Sequence, residues 1–250
     1  MGNNLTGYPS VDKPQMAFYR TDPIRHINTE STVYELIFDT NRDHMADNAL
    51  EYMGVIWSYE KLKKETDRAA SAFARAGLRM GDVVLIAVSN SPEAVVTLLA
   101  LNKLGVVSKW IDIRASAKDL EQSIKESNCR MVVAFDILLP KIDMVLNHTA
   151  LEKVIIIKPV CSLPKVVQIA YGIKNKSKLP NDSRYIYFEI FVKAGDSSKS
   201  PECVPFDKDR PSIMIQSSGT TGKPKTIVHS DFSDSPRSEE RFSRNAETDL

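Results

Sequence analysis

Apolar residues in this chain come in short blocks whose spacing switches between two periods. After Ser58, Leu62, Ala69, Phe73 and Ala76 recur at helical spacing and Gly77 supplies a left-handed stop. The segment Trp57-Ser58-Tyr59-Glu60 therefore opens a helix, with Ser58 as its cap. Val83–Val88 is a continuous run rich in β-branched residues, which predicts a strand buried on both faces. Ser91, Pro92 and Glu93 punctuate the start of a second helix, and Gly105 closes it. Val106–Ile111, Met131–Phe135 and Val154–Ile157 read as further strands. Ser116 caps a helix with Leu120 and Ile124 on its buried face, and Ile137–Leu146 reads as a helix interrupted near its start by Pro140. Upstream, Thr32–Phe38 begins a short helix-like segment and Asp39–Asn48 reads as a loop.

Strands alternating with helices of this length imply right-handed crossovers. The expected class is α/β, a parallel sheet covered by helices on both faces. Residues 1–30, with Pro9, Pro14 and Pro23, read as an extended arm. From Pro159 to Pro205 the pattern weakens: Lys174–Lys178 is a basic loop, Tyr185–Val192 fits helix or strand, and Ser197–Pro201 reads as a flexible surface loop. Ile213-Met214-Ile215 is a short apolar strand leading into a polar, glycine-containing segment.

Composition narrows the class. The chain has 250 residues, 42% hydrophobic and 26% charged, the balance of a soluble globular protein with a sizeable core. With 33 basic against 32 acidic residues the net charge is +1, so no global field draws in nucleic acid or anionic lipid, although a local basic patch stays open. The longest apolar stretches, Val83–Val88 and Val95–Leu101, fall well short of the roughly 20 residues that an integral membrane segment needs. Met1–Leu5 is polar and lacks the layout of a secretory signal. Gly2 and Thr6 match a myristoylation pattern, but no basic cluster follows and the match reads as chance. Cys129, Cys161 and Cys203 show no CxxC spacing and no neighbouring His, which argues against a disulfide framework or zinc and favours a reducing, cytoplasmic location.

The informative segment is Ser217-Ser218-Gly219-Thr220-Thr221-Gly222-Lys223-Pro224-Lys225. Glycines let the backbone approach an anion closely, and successive N–H groups in such a turn form an anion-binding concavity. The hydroxyls add donors and the lysines add neutralising charge, so the set suits a polyphosphate. It is not the common P-loop, which needs four residues between its glycines and then Lys and Ser/Thr. Here only Thr220 and Thr221 separate Gly219 from Gly222, and Pro224 after Lys223 breaks the helix a P-loop would present.

These nine residues resemble, nearly position for position, the signature of the AMP-binding, adenylate-forming synthetases: acyl-CoA synthetases, peptide-synthetase adenylation domains and firefly luciferase. Two weaker elements agree in order and spacing. Trp57-Ser58-Tyr59-Glu60-Lys61-Leu62 is similar to an early "(T/S)-Y-x-E-L" element of that family, and Leu101-Asn102-Lys103-Leu104-Gly105-Val106 to "L-x-K-x-G-A".

The resemblance implies a partial amino-terminal domain over residues 31–235 and a two-step reaction. A carboxylic acid attacks the α-phosphorus of ATP, giving acyl-adenylate and pyrophosphate, and a thiol such as that of coenzyme A takes the acyl group. Ser217, Ser218, Gly219, Thr220, Thr221, Gly222 and Lys223 would hold the β- and γ-phosphates, with Pro224 and Lys225 shaping and charging the loop's exit. Mg²⁺ is implied as the partner of the pyrophosphate charge. No metal ligand and no catalytic residue is assigned within the chain. The family's "Y-G-x-T-E" segment, ribose-binding Asp and catalytic lysine are expected beyond residue 250, so the chain reads as a truncated piece, inactive alone. It is also expected to leave a sheet edge unpaired. Residues 236–250 resemble an in-frame translation of a short-read sequencing adapter and read as a non-native tail.

Other patterns carry less. Asp39, Asn41, Asp43 and Asp47 suggest a calcium loop, but His44 stands where the turn needs Gly and Leu50 where the bidentate Glu belongs. His26, His44 and His148 lack metal spacing, and His229 lies near the nine-residue segment in a minor, structural role. The lysines of 174–178 lack interleaved aromatics, against a nucleic-acid platform. Two alternatives stay open: an amino-acid or aryl-acid adenylation enzyme loading a carrier-protein thiol, and a non-catalytic nucleotide-binding module.

Overall fold

The computed structural model describes residues 6–8, 12, 14, 30–174, 178–216 and 226–231. The extended arm lies mostly outside the described residues, and residues 236–250 lie wholly outside them.

Helix α1 (Val33–Thr40) starts in a capping box: Thr32 Oγ1 accepts from the Glu35 N–H, and Glu35 accepts from the Thr32 N–H at 3.0 Å. A 3₁₀ turn at Arg42–His44 occupies the expected loop, where His44 pairs with Asp47 and Arg42 with Asp39. Strands β1 (Asn48–Tyr52) and β2 (Val55–Ser58) then form an antiparallel hairpin that the periodicity does not predict. Its turn places Met53 at φ 48° and Gly54 at φ 78°. Two successive positive φ values suit the twist of a two-residue hairpin.

Helix α2 (Tyr59–Arg75) begins as predicted, with Ser58 Oγ accepting from the Lys61 N–H at 3.3 Å. Strand β3 (Val83–Ala87) leads to α3 (Pro92–Lys103), where Ser91 Oγ accepts from the Ala94 N–H at 3.2 Å. Strand β4 (Val107–Trp110) and helix α4 (Ala117–Ser127, capped by Ser116) follow, then β5 (Met131–Phe135). The segment Ile137–Leu146 divides near its start, as expected: a 3₁₀ turn at Asp136–Leu138 gives way to α5 (Leu139–Val145), with Pro140 in the first turn, where its missing N–H has no intrahelical partner to lose. Strand β6 (Lys153–Ile157) is followed by α6 (Lys165–Lys174), for which the sequence pattern shows no clear signal. Tyr185–Val192 is strand and helix in turn: β7 (Tyr185–Tyr187), then α7 (Phe188–Lys193). A 3₁₀ turn at Ser197–Lys199 orders part of the expected surface loop. Strands β8 (Pro211–Gln216) and β9 (Thr226–Ser230) complete the described chain.

The main sheet has seven strands in the order β7-β6-β5-β3-β4-β8-β9. All neighbours are parallel except β9, which runs antiparallel to β8 at the edge. Alternation splits each central strand between two cores. Val84, Ile86, Val133 and Ile155 join α2 and α3 through Phe73 and Leu99. Leu85, Ala87, Val132 and Ile156 join α4 and α5 through Leu120, Ile124 and Ile142. The α/β class with helices over both faces holds. β9 carries Ile227 and Val228 half exposed. Behind α2 the chain passes unusually close: a Cβ on Gly195 would stand 2.1 Å from Arg68 O, so only glycine fits.

Candidate functional site

All nine residues 217–225, and so every predicted phosphate contact from Ser217 to Lys225, lie outside the described residues. Their two stems are described. Gln216 pairs with Thr226 across the β8–β9 ladder, so the nine residues close a single hairpin connection. Hairpin connections usually take about 2–5 residues. The nine positions between the paired stems exceed that range.

The parallel register places the loop. β8 runs with β4, so the connection leaves the carboxyl edge of the sheet. Strand order reverses around β3: β4 lies on one side of it and β5 on the other. In open α/β sheets the crevice beyond the carboxyl ends of strands at such a switch point receives ligands. A cavity of about 300 Å³ opens on this edge, lined by Leu50, Tyr52, Asn90, Ser91, Val95 and Trp110 among others. Its lining does not include Gln216 or Thr226.

Specific bonds hold the stems. Gln216 Nε2 donates to Ser123 Oγ at 2.8 Å, tying the end of β8 to α4. The Lys109 amino group is buried on β4 and donates to Ser123 O at 3.0 Å, with Glu126 at 3.7 Å. That lysine is committed to α4. At the opposite end of the hairpin Arg210 pairs with the buried Asp231, which also accepts from the Asp207 N–H at 3.3 Å. Burial pushes the Asp231 carboxyl up, against the pull of the Asp207 N–H and the Arg210 guanidinium. At the exit of β4, hydrogen bonds from Arg114 hold the exposed Asp112 carboxyl down at about 2.

His229 lies within β9. It faces Ile213, three residues along β9 from Thr226, or about 10 Å at strand rise. Among the described residues no group of three His, Cys, Asp or Glu side chains could hold a metal ion.

The two weaker motif elements serve as scaffold. Leu62 is buried and Ser58 caps α2. Lys103 Nζ lies 2.6 Å from Asp67 Oδ1, 2.9 Å from Ser200 Oγ and 3.3 Å from Tyr34 Oη, joining α1, α2 and α3. Asn102 accepts from the Tyr34 N–H at 2.9 Å and donates to Ser212 Oγ at 3.0 Å, linking α3 to β8. Sequence reading missed the Gln216–Ser123 and Arg210–Asp231 contacts. Nothing local marks pairs that meet only once the sheet has formed.

A model of the family "AMP-binding enzyme" matches residues 37–233. The acetyl-coenzyme A synthetase of Mycolicibacterium smegmatis is 31% identical over 172 residues, 69% of this chain but 18% of that protein. That of Bdellovibrio bacteriovorus is 24% identical over 205 residues, 82% of this chain and 30% of its own. The 3-hydroxypropionyl-coenzyme A synthetase of Sulfurisphaera tokodaii is 30% identical over 175 residues, 69% of this chain and 26% of that protein. The chain thus spans less than a third of these relatives. In fold it is similar to the anthranilate CoA ligase AuaEII, solved in complex with anthranoyl-AMP, at TM-score 0.68 and 18% identity over 82% of this chain and 36% of that one. The luciferase-like enzyme of the nonluminescent mealworm Zophobas morio gives 0.63 and 21% over 83% and 44%. With its parallel sheet, its edge hairpin and a match over most of its length, this chain belongs to the AMP-binding enzyme family.

Proposed function

We propose that this chain is the phosphate-gripping part of an enzyme that activates a carboxylic acid with ATP and passes the acyl group to the thiol of coenzyme A. The observation that carries the reading is the segment 217–225, which closes an edge hairpin at the carboxyl side of a parallel sheet. Ser217, Ser218, Thr220 and Thr221 supply hydroxyl donors, Gly219 and Gly222 free the backbone to face an anion, and Lys223 and Lys225 neutralise charge. Pyrophosphate leaves with accumulating negative charge, and donors held in place before the reaction stabilise it most. The stems supply that support: Gln216 is tied to α4, and β9 ends in a buried ion pair with Arg210.

The names of the curated relatives favour coenzyme A as acceptor over a carrier protein. The ribose contacts, the acid pocket and the catalytic lysine belong, on this reading, to a part of the enzyme outside this chain, which is inactive without it. The test is acid-dependent exchange of labelled pyrophosphate into ATP by the intact enzyme. Gly219→Val with Gly222→Val is expected to lower exchange at least about 100-fold, the scale of losing fixed donors at a developing charge. Exchange that survives both valines overturns the assignment.

A further inference from the structure

Helix α6 is turned inside out. The side chains it packs inward are polar: Gln168 Nε2 donates to Cys161 O at 3.0 Å and Leu163 O at 2.7 Å. Tyr171 Oη donates to the Asp136 carboxylate at 3.0 and 3.1 Å. Its apolar side chains face solvent: Val166 is 78% exposed, Ile169 63% and Ile173 72%. Spacings of three and four residues put these on one face of the helix. Ile137, next in sequence to the Asp136 that holds Tyr171, is also 71% exposed. An ordinary surface helix shows the reverse arrangement. Apolar residues scattered singly on a surface need no explanation, but a stripe does.

Charge indicates what covers the stripe. Residues 165–178 contain Lys165, Lys174, Lys176 and Lys178 and no acidic residue, in a chain whose net charge is only +1. Lys165 and Lys178 are exposed. A second copy of the chain would bring like charges together on this face. Connecting β6 to β7, α6 also sits at the end of the sheet opposite β9, through which the chain continues. An apolar stripe flanked by lysines fits the boundary of an anionic bilayer, where headgroups take the cations and the acyl region takes the side chains.

We propose that α6 is a peripheral membrane-docking helix, laying Val166, Ile169 and Ile173 into an anionic lipid surface with Lys165 and Lys178 on lipid phosphates. No described helix is long and apolar enough to cross a membrane, so the attachment is to one surface and reversible. The inference stands apart from the reaction proposed above.

The test is co-sedimentation of the purified chain with vesicles of phosphatidylcholine alone and of phosphatidylcholine mixed with phosphatidylserine. Binding is expected only to the mixed vesicles, weakening as salt rises. Ile169→Glu with Ile173→Glu should abolish it. Lys165→Gln and Lys178→Gln should each lower partitioning about fivefold. All four side chains are exposed, and an unchanged far-ultraviolet circular dichroism spectrum checks that each variant folds. A chain that ignores mixed vesicles overturns the proposal, as does binding that survives both glutamates. A dimer that ignores vesicles and dissociates on Ile169→Glu assigns the face to a second copy and overturns it equally.

Discussion

Replacing Lys103 by Met tests a buried charge pair that joins α2 to α3. Lys103 Nζ stands 2.6 Å from Asp67 Oδ1, with the two side chains 8% and 10% exposed. Removing one partner of a buried pair costs about 3–5 kcal/mol, because the other charge is left in a poor solvent. Asp67 would keep the Tyr34 hydroxyl at 2.8 Å and Lys63 at 2.7 Å, and Lys63 is partly solvated. The expected loss is therefore at the low end, about 3 kcal/mol. Urea unfolding followed by fluorescence of the buried Trp57 measures it. Adding Asp67→Asn should restore much of the loss, since no buried charge is then left uncompensated and the released Lys63, 40% exposed, is solvated. Burial raises the Asp67 pKa, but hydrogen bonds from Lys103, Lys63 and Tyr34 outweigh it, and the net shift is downward. A carboxylate with a depressed folded-state pKa contributes stability above its unfolded value and loses it as pH falls through the folded value. The gap between wild type and Lys103→Met should thus narrow on acidification below the ordinary carboxylate range. A loss under about 1 kcal/mol at neutral pH, the scale of an exposed pair, or a gap that widens in acid, refutes the reasoning.

Two further outcomes follow from the packing and the loop stem. Gly195→Ala puts a methyl carbon 2.1 Å from Arg68 O and 3.1 Å from the Ala72 N, both backbone atoms of α2, so a loss of about 1–3 kcal/mol and a clearly lower Tm are expected. An unchanged melting curve would contradict that approach of chain to helix. Gln216→Ala removes the 2.8 Å bond to Ser123, and in the intact enzyme it should raise the KM for ATP severalfold, in line with about 1 kcal/mol for a hydrogen bond. Equal KM values for wild type and variant would show that this stem does not position the loop.

Local chemistry made much of the framework readable. Ser58, Ser91 and Ser116 cap the helices they precede because a cap needs only its own side chain and the next turn. Val83–Val88 reads as a doubly buried strand because a parallel sheet under two helical layers offers no polar face, and the two cores divide its side chains by alternation. The β1–β2 hairpin escaped because its strands are short and half exposed, and Met53-Gly54 is its main local sign. Helix α6 escaped because an inverted face satisfies no rule written for a soluble core.

The site divides in the same way. The proposal that residues 217–225 grip a polyphosphate rests on their own atoms: hydroxyls, glycines and lysines within nine positions. That they close an edge hairpin, at the carboxyl side of the sheet beside β4, depends on pairing residues about a hundred positions apart, such as Lys109 with Met214. The same holds for Gln216 on Ser123, and for Lys103, which the sequence marks only as a motif residue and the packed helices make a buried cation on Asp67. Short-range torsional and capping preferences are written residue by residue, whereas burial and long-range hydrogen bonds exist only after the chain has collapsed and excluded water.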